Sequence, residues 1–341
     1  MIDIDGSFGE GGGQILRSSL TLALLTGQAF RLRNVRARRQ RPGLQPQHLT
    51  AVRAAAEVGQ AQTRGASVGS GQLDFEPQTV KPGNYRFAIG TAGATTLVLH
   101  TVYLPLAMQD AASTVTVEGG THNDHAPCYH FLAATWQPYL ARVGLPLTLH
   151  LDRPGFYPRG GGRFTAHIPG GAKLRGLTLT DRPAITRAVG FSAVSGGLPE
   201  HIARRQAGRA KEQLEAAGLE ADIGLETWHG GPGSVLALTL DEAPVPTLVF
   251  GLGARGKRAE AVADEAVEQA LAYAAAGAPV DEHSADQLIL PLAFAEGASE
   301  YRVTRVTKHL LTNVEVVRKF LPRRIEVEGA EGEPGTVRVQ A

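Results

Sequence analysis

Apolar positions along this chain alternate between a two-residue and a 3.6-residue period, and that alternation outlines its architecture. Residues 2–4 read as a short strand, followed by a glycine-rich turn and an apolar helix over 14–25. A strand near 30–35, a helix over 46–58 and short strands near Ala66 and Leu73 complete a β-α-β-α-β-β order. The same order recurs in a strand at 85–89, a helix over 92–108, a strand at 114–118, a helix over 126–143, and strands at 147–151 and 163–167. At the C-terminus, a helix over 285–295, a strand near 301–304, a helix over 309–320 and strands at 324–327 and 337–339 repeat it without the first strand. Residues 174–179 supply that strand.

Residues 181–278 interrupt the third unit. They read as strand, helix, three strands and a long Ala/Glu-rich helix over 258–275. The expected fold is α/β of the α+β type: three βαβαββ units in a large domain (1–180 and 279–341) and a smaller inserted α/β domain (181–278).

Composition narrows the class of protein. With 341 residues, 43% hydrophobic and 20% charged, the chain can bury a large core and form two domains. Forty-one glycines and 20 prolines without a period indicate many tight turns. A single cysteine, Cys128, excludes an internal disulfide and suits a reducing compartment. No basic n-region with an apolar stretch opens the chain and no run of 18 apolar residues follows, so a cytoplasmic enzyme without a membrane span is expected.

Thirty-four basic residues nearly balance 33 acidic ones, giving a net charge of +1 and no global affinity for polyanions. The distribution is uneven, however. Residues 31–42, RLRNVRARRQRP, carry six arginines and no acid, a strip suited to gripping a few phosphates or simply a solvated basic loop.

Several segments carry candidate chemistry. Gly251-Leu-Gly-Ala-Arg-Gly-Lys257 begins like a phosphate loop, but Arg258 stands where a Walker loop needs a magnesium-binding hydroxyl, so helix-start packing is the simpler reading. Four glycines around Glu10, just before a helix, let backbone amides approach a phosphate while the carboxylate holds a divalent cation. Arg17 follows one turn later. With Arg36, Arg38, Gln47 and His48 it offers donors to a phosphate-bearing substrate. Gly155-Phe-Tyr-Pro-Arg-Gly-Gly-Gly162 is accounted for by a tight hairpin. His122, His125, Cys128 and His130 are close in sequence but lack the second ligand pair of a structural zinc site.

Six segments, EGGGQILR (10–17), RPGLQPQHL (41–49), FAIGTAG (87–93), GFYPRGGG (155–162), ADQLILPLA (285–293) and HLLTN (309–313), together resemble the RNA 3'-terminal phosphate cyclase family, in family order over nearly the whole chain. The resemblance implies three units similar to the C-terminal domain of translation initiation factor three, interrupted by a smaller domain. It implies ATP and a divalent cation, Mg2+ or Mn2+, and an RNA with a 3'-terminal phosphate as partner. A histidine-AMP phosphoramidate forms first. AMP then passes to the RNA phosphate, and the ribose 2'-hydroxyl closes a 2',3'-cyclic phosphate.

Carried over residue by residue, the resemblance makes His309 the nucleophile, Glu10 the metal ligand, and Arg17, His100, His283, Ser284, Ala285, Asp286 and Gln287 the nucleotide site. It gives Arg36, Gln47 and His48 to the RNA phosphate. His100 stands where a nucleotide-contacting Gln is expected, His283-Ser284 replaces Tyr-Leu, and Pro154 stands where Arg or His is typical, so the base pocket is lined differently. Two other readings remain: a silent relative acting as a ribosome-assembly scaffold, which the presence of His309 argues against, and an enolpyruvyl-transferase-like enzyme acting on small anions. Neither needs a nucleotidylated histidine.

Overall fold

The computed structural model describes residues 1–341. It contains four sheets, each of four strands, and three of them share one pattern. In the first, β1 (Ile2–Asp5) pairs parallel with β2 (Phe30–Arg33), which pairs antiparallel with β4 (Leu73–Glu76), whose other edge is β3 (Gln62–Arg64). The second repeats this with β5 (Asn84–Ala88), β6 (Ser113–Gly119), β8 (Gly162–Ile168) and β7 (Thr148–Arg153). The third uses β9 (Thr178–Leu179), β14 (Ser299–Val303), β16 (Gly335–Val339) and β15 (Ile325–Glu328). Here β9 keeps only two residues of the expected strand; residues 174–177 run on beside the chain leading into β14 through an isolated bridge, Arg175 to Glu296, and backbone hydrogen bonds with Glu296 and Glu300.

The helices lie between these sheets. α1 (Gly13–Thr26) packs against α2 (Pro46–Val58), α3 (Thr95–Ala107) and α10 (Lys308–Phe320). Ten of the 14 residues of α1 are buried, which is why that segment is apolar nearly all round rather than on one stripe. Gln14, Ser18, Ser19 and Thr21 are the buried polar exceptions, and all but Ser19 line the principal cavity. A single core joins the three units, from Ile4 and Phe30 through Val98, Phe131 and Phe164 to Leu310 and Val339.

Two expected helices are broken. The span 126–143 is α4 (Tyr129–Phe131), a π-helical turn (Leu132–Trp136) and α5 (Gln137–Arg142). Such a turn re-aims side chains locally, and it delivers Phe131 and Trp136 to the principal cavity. The span 285–295 is two short pieces, α8 (Glu282–Gln287) and α9 (Ile289–Ala293), with Asp281 capping α8 through its own carboxylate.

Residues 187–276 carry the fourth sheet, β10 (Arg187–Ser195), β11 (Glu220–Trp228), β12 (Gly233–Leu240) and β13 (Thr247–Leu252), and helices α6 (His201–Ala216) and α7 (Ala259–Ala276). They bury a second core including Leu214, Leu238 and Val267. Arg182 stitches the two crossing chains, donating to the carbonyls of Tyr273, Ala274 and Ala278 while lying over the Tyr273 ring. A small apolar cluster of Phe156, Ala193, Val235 and Leu252 seats the fourth sheet beside the second. No helix is long and apolar enough to cross a membrane.

Candidate active site

A cavity of about 800 Å³ opens where α1, α3, α8 and α10 meet the inserted sheet. Among its lining residues are Arg17, His100, His283, Asp286, Gln287 and His309, so six positions from distant parts of the chain converge on one space. Ser284 and Ala285 are buried behind that wall.

His309 sits in the first turn of α10, which Thr307 caps by accepting from Leu310 N. Three residues of that helix, at positions i, i+3 and i+4, form one face toward the site. His309 Nδ1 lies 2.7 Å from Gln14 Oε1. Thr312 Oγ1 accepts from Glu10 N and donates to Lys308 O, while Asn313 accepts from Ser18 and donates to the Asp286 carbonyl. The side chain of Gln14 in turn donates through Nε2 to Asp286 Oδ2, at 2.5 Å. A carboxylate, an amide and an imidazole therefore form one line.

The direction of these bonds follows from donor inventory. An ionised Asp286 only accepts, so the amide nitrogen of Gln14 faces it and the amide oxygen faces His309. Nδ1 must then carry the hydrogen, which leaves Nε2 with its lone pair. Burial, ahead of the opposing pull of Glu10, holds the His309 imidazole below its ordinary pKa, so it is neutral at neutral pH. Asp286 is pushed up to about 7, chiefly by burial and against the attraction of Arg17.

Glycines let the charged groups close around the start of α1. A Cβ on Gly12 would stand 2.8 Å from Arg39 Nη2 and collide with the Glu10 carboxylate, and one on Gly13 would stand 2.7 Å from Arg17 Nη1 and collide with His48 Nε2. The Glu10 side chain is 5% exposed and pairs with Arg39 at 2.6 Å. Arg17 is desolvated enough to lower its guanidinium to about 10.

Arg36, Gln47 and His48 have structural partners as well. Arg36, at φ +53°, donates to the carbonyls of Arg41 and Gly43 and so folds the arginine strip into a compact loop. Gln47 Oε1 accepts from Ala94 N at 2.8 Å, leaving its Nε2 free to donate. His48 Nδ1 accepts from Gln45 N and caps α2, so the hydrogen is on Nε2. Burial lowers His48 to about 3, fixing it as a neutral donor next to Arg17.

The aromatic end of the cavity is formed by Tyr103, Phe131 and Trp136. The His100 ring packs 4.8 Å from Trp136. Its Nε2 is buried without a partner, as is Gln287 Oε1, and a ligand that filled the cavity would satisfy both. Burial takes His100 down to about 3, so it reads a ligand by hydrogen bonds and not by charge.

A model of the RNA 3'-terminal phosphate cyclases matches residues 8–327. The chain belongs to the RNA 3'-terminal phosphate cyclase family. A relative of that name from Salmonella typhimurium is 45% identical over 333 residues, covering 97% of this chain and 96% of its own. One from Ralstonia nicotianae is 46% identical over 345 residues, covering 99% and 96%, and one from Trichormus variabilis is 44% identical over 339, covering 97% of each. An EPSP synthase from Acinetobacter baumannii aligns with 95% of this chain and 62% of its own at 11% identity and a TM-score of 0.28.

The cyclase-family match spans the inserted sheet together with Glu10, Arg17 and His309. Four residues of this site escape the motif reading. Gln14 stands inside the EGGGQILR segment without an evident task; Arg39 is one of six arginines in a strip. Asn313 closes the HLLTN segment without an evident task. Lys257 comes from the glycine-rich loop between β13 and α7, reaches the cavity, and is held by the Leu252 carbonyl and Glu265. His122 and His130, by contrast, bond each other at 3.0 Å beside Trp228, and Cys128 caps α4.

Proposed function

We propose that this enzyme converts an RNA 3'-terminal phosphate to a 2',3'-cyclic phosphate, using ATP through a covalent histidine-AMP intermediate. The observation that carries the reading is the Asp286–Gln14–His309 line, which engages Nδ1 and leaves Nε2 unprotonated on a histidine that lines the cavity together with Arg17.

In the first step Nε2 attacks the α-phosphorus of ATP, and the bond to the β-phosphate oxygen breaks to release pyrophosphate. The ring gains positive character as the P–N bond forms. Nδ1–H, donating to an amide oxygen that is itself polarised by Asp286, stabilises that charge as it develops. Arg17 lies beside the phosphoryl oxygens.

An oxygen of the RNA 3'-phosphate next attacks the same phosphorus, His309 leaves, and an RNA-adenylate anhydride results. Arg36 and the donor atoms of Gln47 and His48 hold that phosphate. His48 and Arg17 meet at Gly13, so the two phosphate-binding groups are adjacent across one residue. Finally the 2'-hydroxyl attacks the 3'-phosphorus and AMP departs.

The donor set suits a divalent cation held mostly by substrate phosphates, since no cluster of three acidic, His or Cys ligands accompanies Glu10. Such a cation would neutralise triphosphate charge. Glu10 would turn to it from Arg39.

Conversion of a 3'-phosphate oligoribonucleotide to its cyclic form, with one AMP released per end and an absolute need for ATP, tests this reading. Turnover without ATP would refute it.

A further inference from the structure

Packing explains the glycines of the loop between β7 and β8. A Cβ on Gly155 would collide with the Gly162 backbone, and one on Gly160, at φ +64°, would stand 2.8 Å from Ala92 Cα. Packing does not explain the tip. Phe156 and Tyr157 are chain neighbours with opposite environments. Phe156 is 3% exposed, stacked on His122 at 4.8 Å and buried in the apolar cluster against the inserted sheet. Tyr157 is 76% exposed, more than the N-terminal Met1 at 64%, and it is the sole aromatic among the exposed large apolar side chains. Arg153, the last residue of β7, and Arg159, in the loop beyond Tyr157, are exposed too.

This tip adjoins the groups assigned to the RNA phosphate. Gly160 rests on Thr91 and Ala92, and Gly93 approaches Gln47 so closely that a Cβ would lie 3.0 Å from Gln47 Cβ. Gln47 and His48 open α2, immediately after the loop that carries Arg36. One surface thus runs from the arginine loop, through residue 47 and residues 91–93, to the Tyr-Pro-Arg tip. A strand whose 3'-phosphate is seated at Arg36 and Gln47 has unpaired bases, each with a flat face that an exposed aromatic can cover, and a backbone that nearby arginines can neutralise.

We propose that Tyr157 is a stacking platform for a base of single-stranded RNA upstream of its 3'-terminal phosphate, with Arg153 and Arg159 flanking it along the backbone. This rests on the proposed function, because the RNA reaches Tyr157 only if its end lies at Arg36 and Gln47. Phe156 anchors the platform by locking the loop into the junction, so Tyr157 is presented on a fixed turn.

The test uses the full-length protein, its Tyr157→Ala and Tyr157→Phe variants, and short 3'-phosphate oligoribonucleotides carrying 2-aminopurine at successive positions from the 3' end. Stacking should quench the fluorophore at one position in the wild type and in Tyr157→Phe. Tyr157→Ala should lose that quenching and bind about 10-fold more weakly, the loss of one stacked base, while labelling by α-labelled ATP is unchanged. Wild-type affinity and quenching in Tyr157→Ala would overturn the platform and leave the cyclase reading intact. A wild-type protein that takes label from ATP but shows no position-specific quenching likewise overturns the platform alone, and one that neither takes label nor binds the RNA overturns both.

Discussion

His309 Nδ1 and Gln14 Oε1 lie 2.7 Å apart although 295 positions separate them in the chain. In the proposed reaction, the contact sets which ring nitrogen keeps the lone pair that attacks phosphorus. Replacing Gln14 by Leu removes both the acceptor for Nδ1–H and the donor to Asp286 while keeping the side chain's bulk. The rate of protein adenylylation should fall about 100-fold, or ~2.7 kcal/mol of transition-state stabilisation, with little change in nucleotide affinity. Single-turnover labelling over a range of ATP concentrations separates these quantities.

The pH dependence follows from Asp286 more than from His309. His309 is held below its ordinary pKa by burial, whereas Asp286 sits near 7. Protonated Asp286 can donate to Gln14, which lets the amide turn and present its nitrogen to His309. The adenylylation rate should therefore drop as pH falls through about 7, and Asp286→Asn should abolish that limb at a reduced plateau. A pH–rate profile of both proteins checks it.

Asp286 also links stability to pH with a definite sign. Its folded pKa is raised above the unfolded value of 3.8, so its contribution is fully present below the unfolded value and is lost as pH rises through about 7. Asp286→Asn should melt higher than the wild type at pH 8, with the gap closing toward pH 4. Thermal unfolding across that range gives the answer.

Gly9 tests the geometry of the loop before α1 that carries Glu10. It has φ +54°, and a Cβ there would collide with Thr312 Oγ1, the atom that accepts from Glu10 N. Gly9→Ala should cost about 1–3 kcal/mol in stability and raise the divalent cation concentration needed for half-maximal labelling. Thr312→Ser should leave both nearly unchanged, because the hydroxyl remains.

His100 should govern nucleotide affinity alone. Its partnerless Nε2 lines the aromatic end of the cavity, away from the arginine loop that would hold RNA. His100→Ala should raise the KM for ATP about 10-fold, the loss of one buried hydrogen bond, with RNA affinity unchanged. Equal losses for both substrates would place the base elsewhere.

How much of this was legible in the sequence depends on the range of the signal. The helix over 46–58 coincides with α2 because its periodicity and its opening proline are local. The helices expected over 126–143 and 285–295 failed as single elements, since a π-helical turn and a break at Leu288 leave apolar composition unchanged. In the site, Glu10, Arg17, Asp286 and His309 stand in recognisable motifs. The tasks of Gln14 and Asn313 are defined by partners roughly 270 and 295 positions away, which spacing cannot reveal. Lys257 was hidden for the same reason: its loop faces the cavity only after the inserted sheet docks on Phe156.

The most direct measurement of the central claim is the fate of label from α-labelled ATP on the purified protein in the presence of a divalent cation. A covalent AMP adduct that is acid-labile, is discharged by 3'-phosphate RNA, and is absent from His309→Ala is the predicted result. An adduct of equal yield on His309→Ala would contradict it.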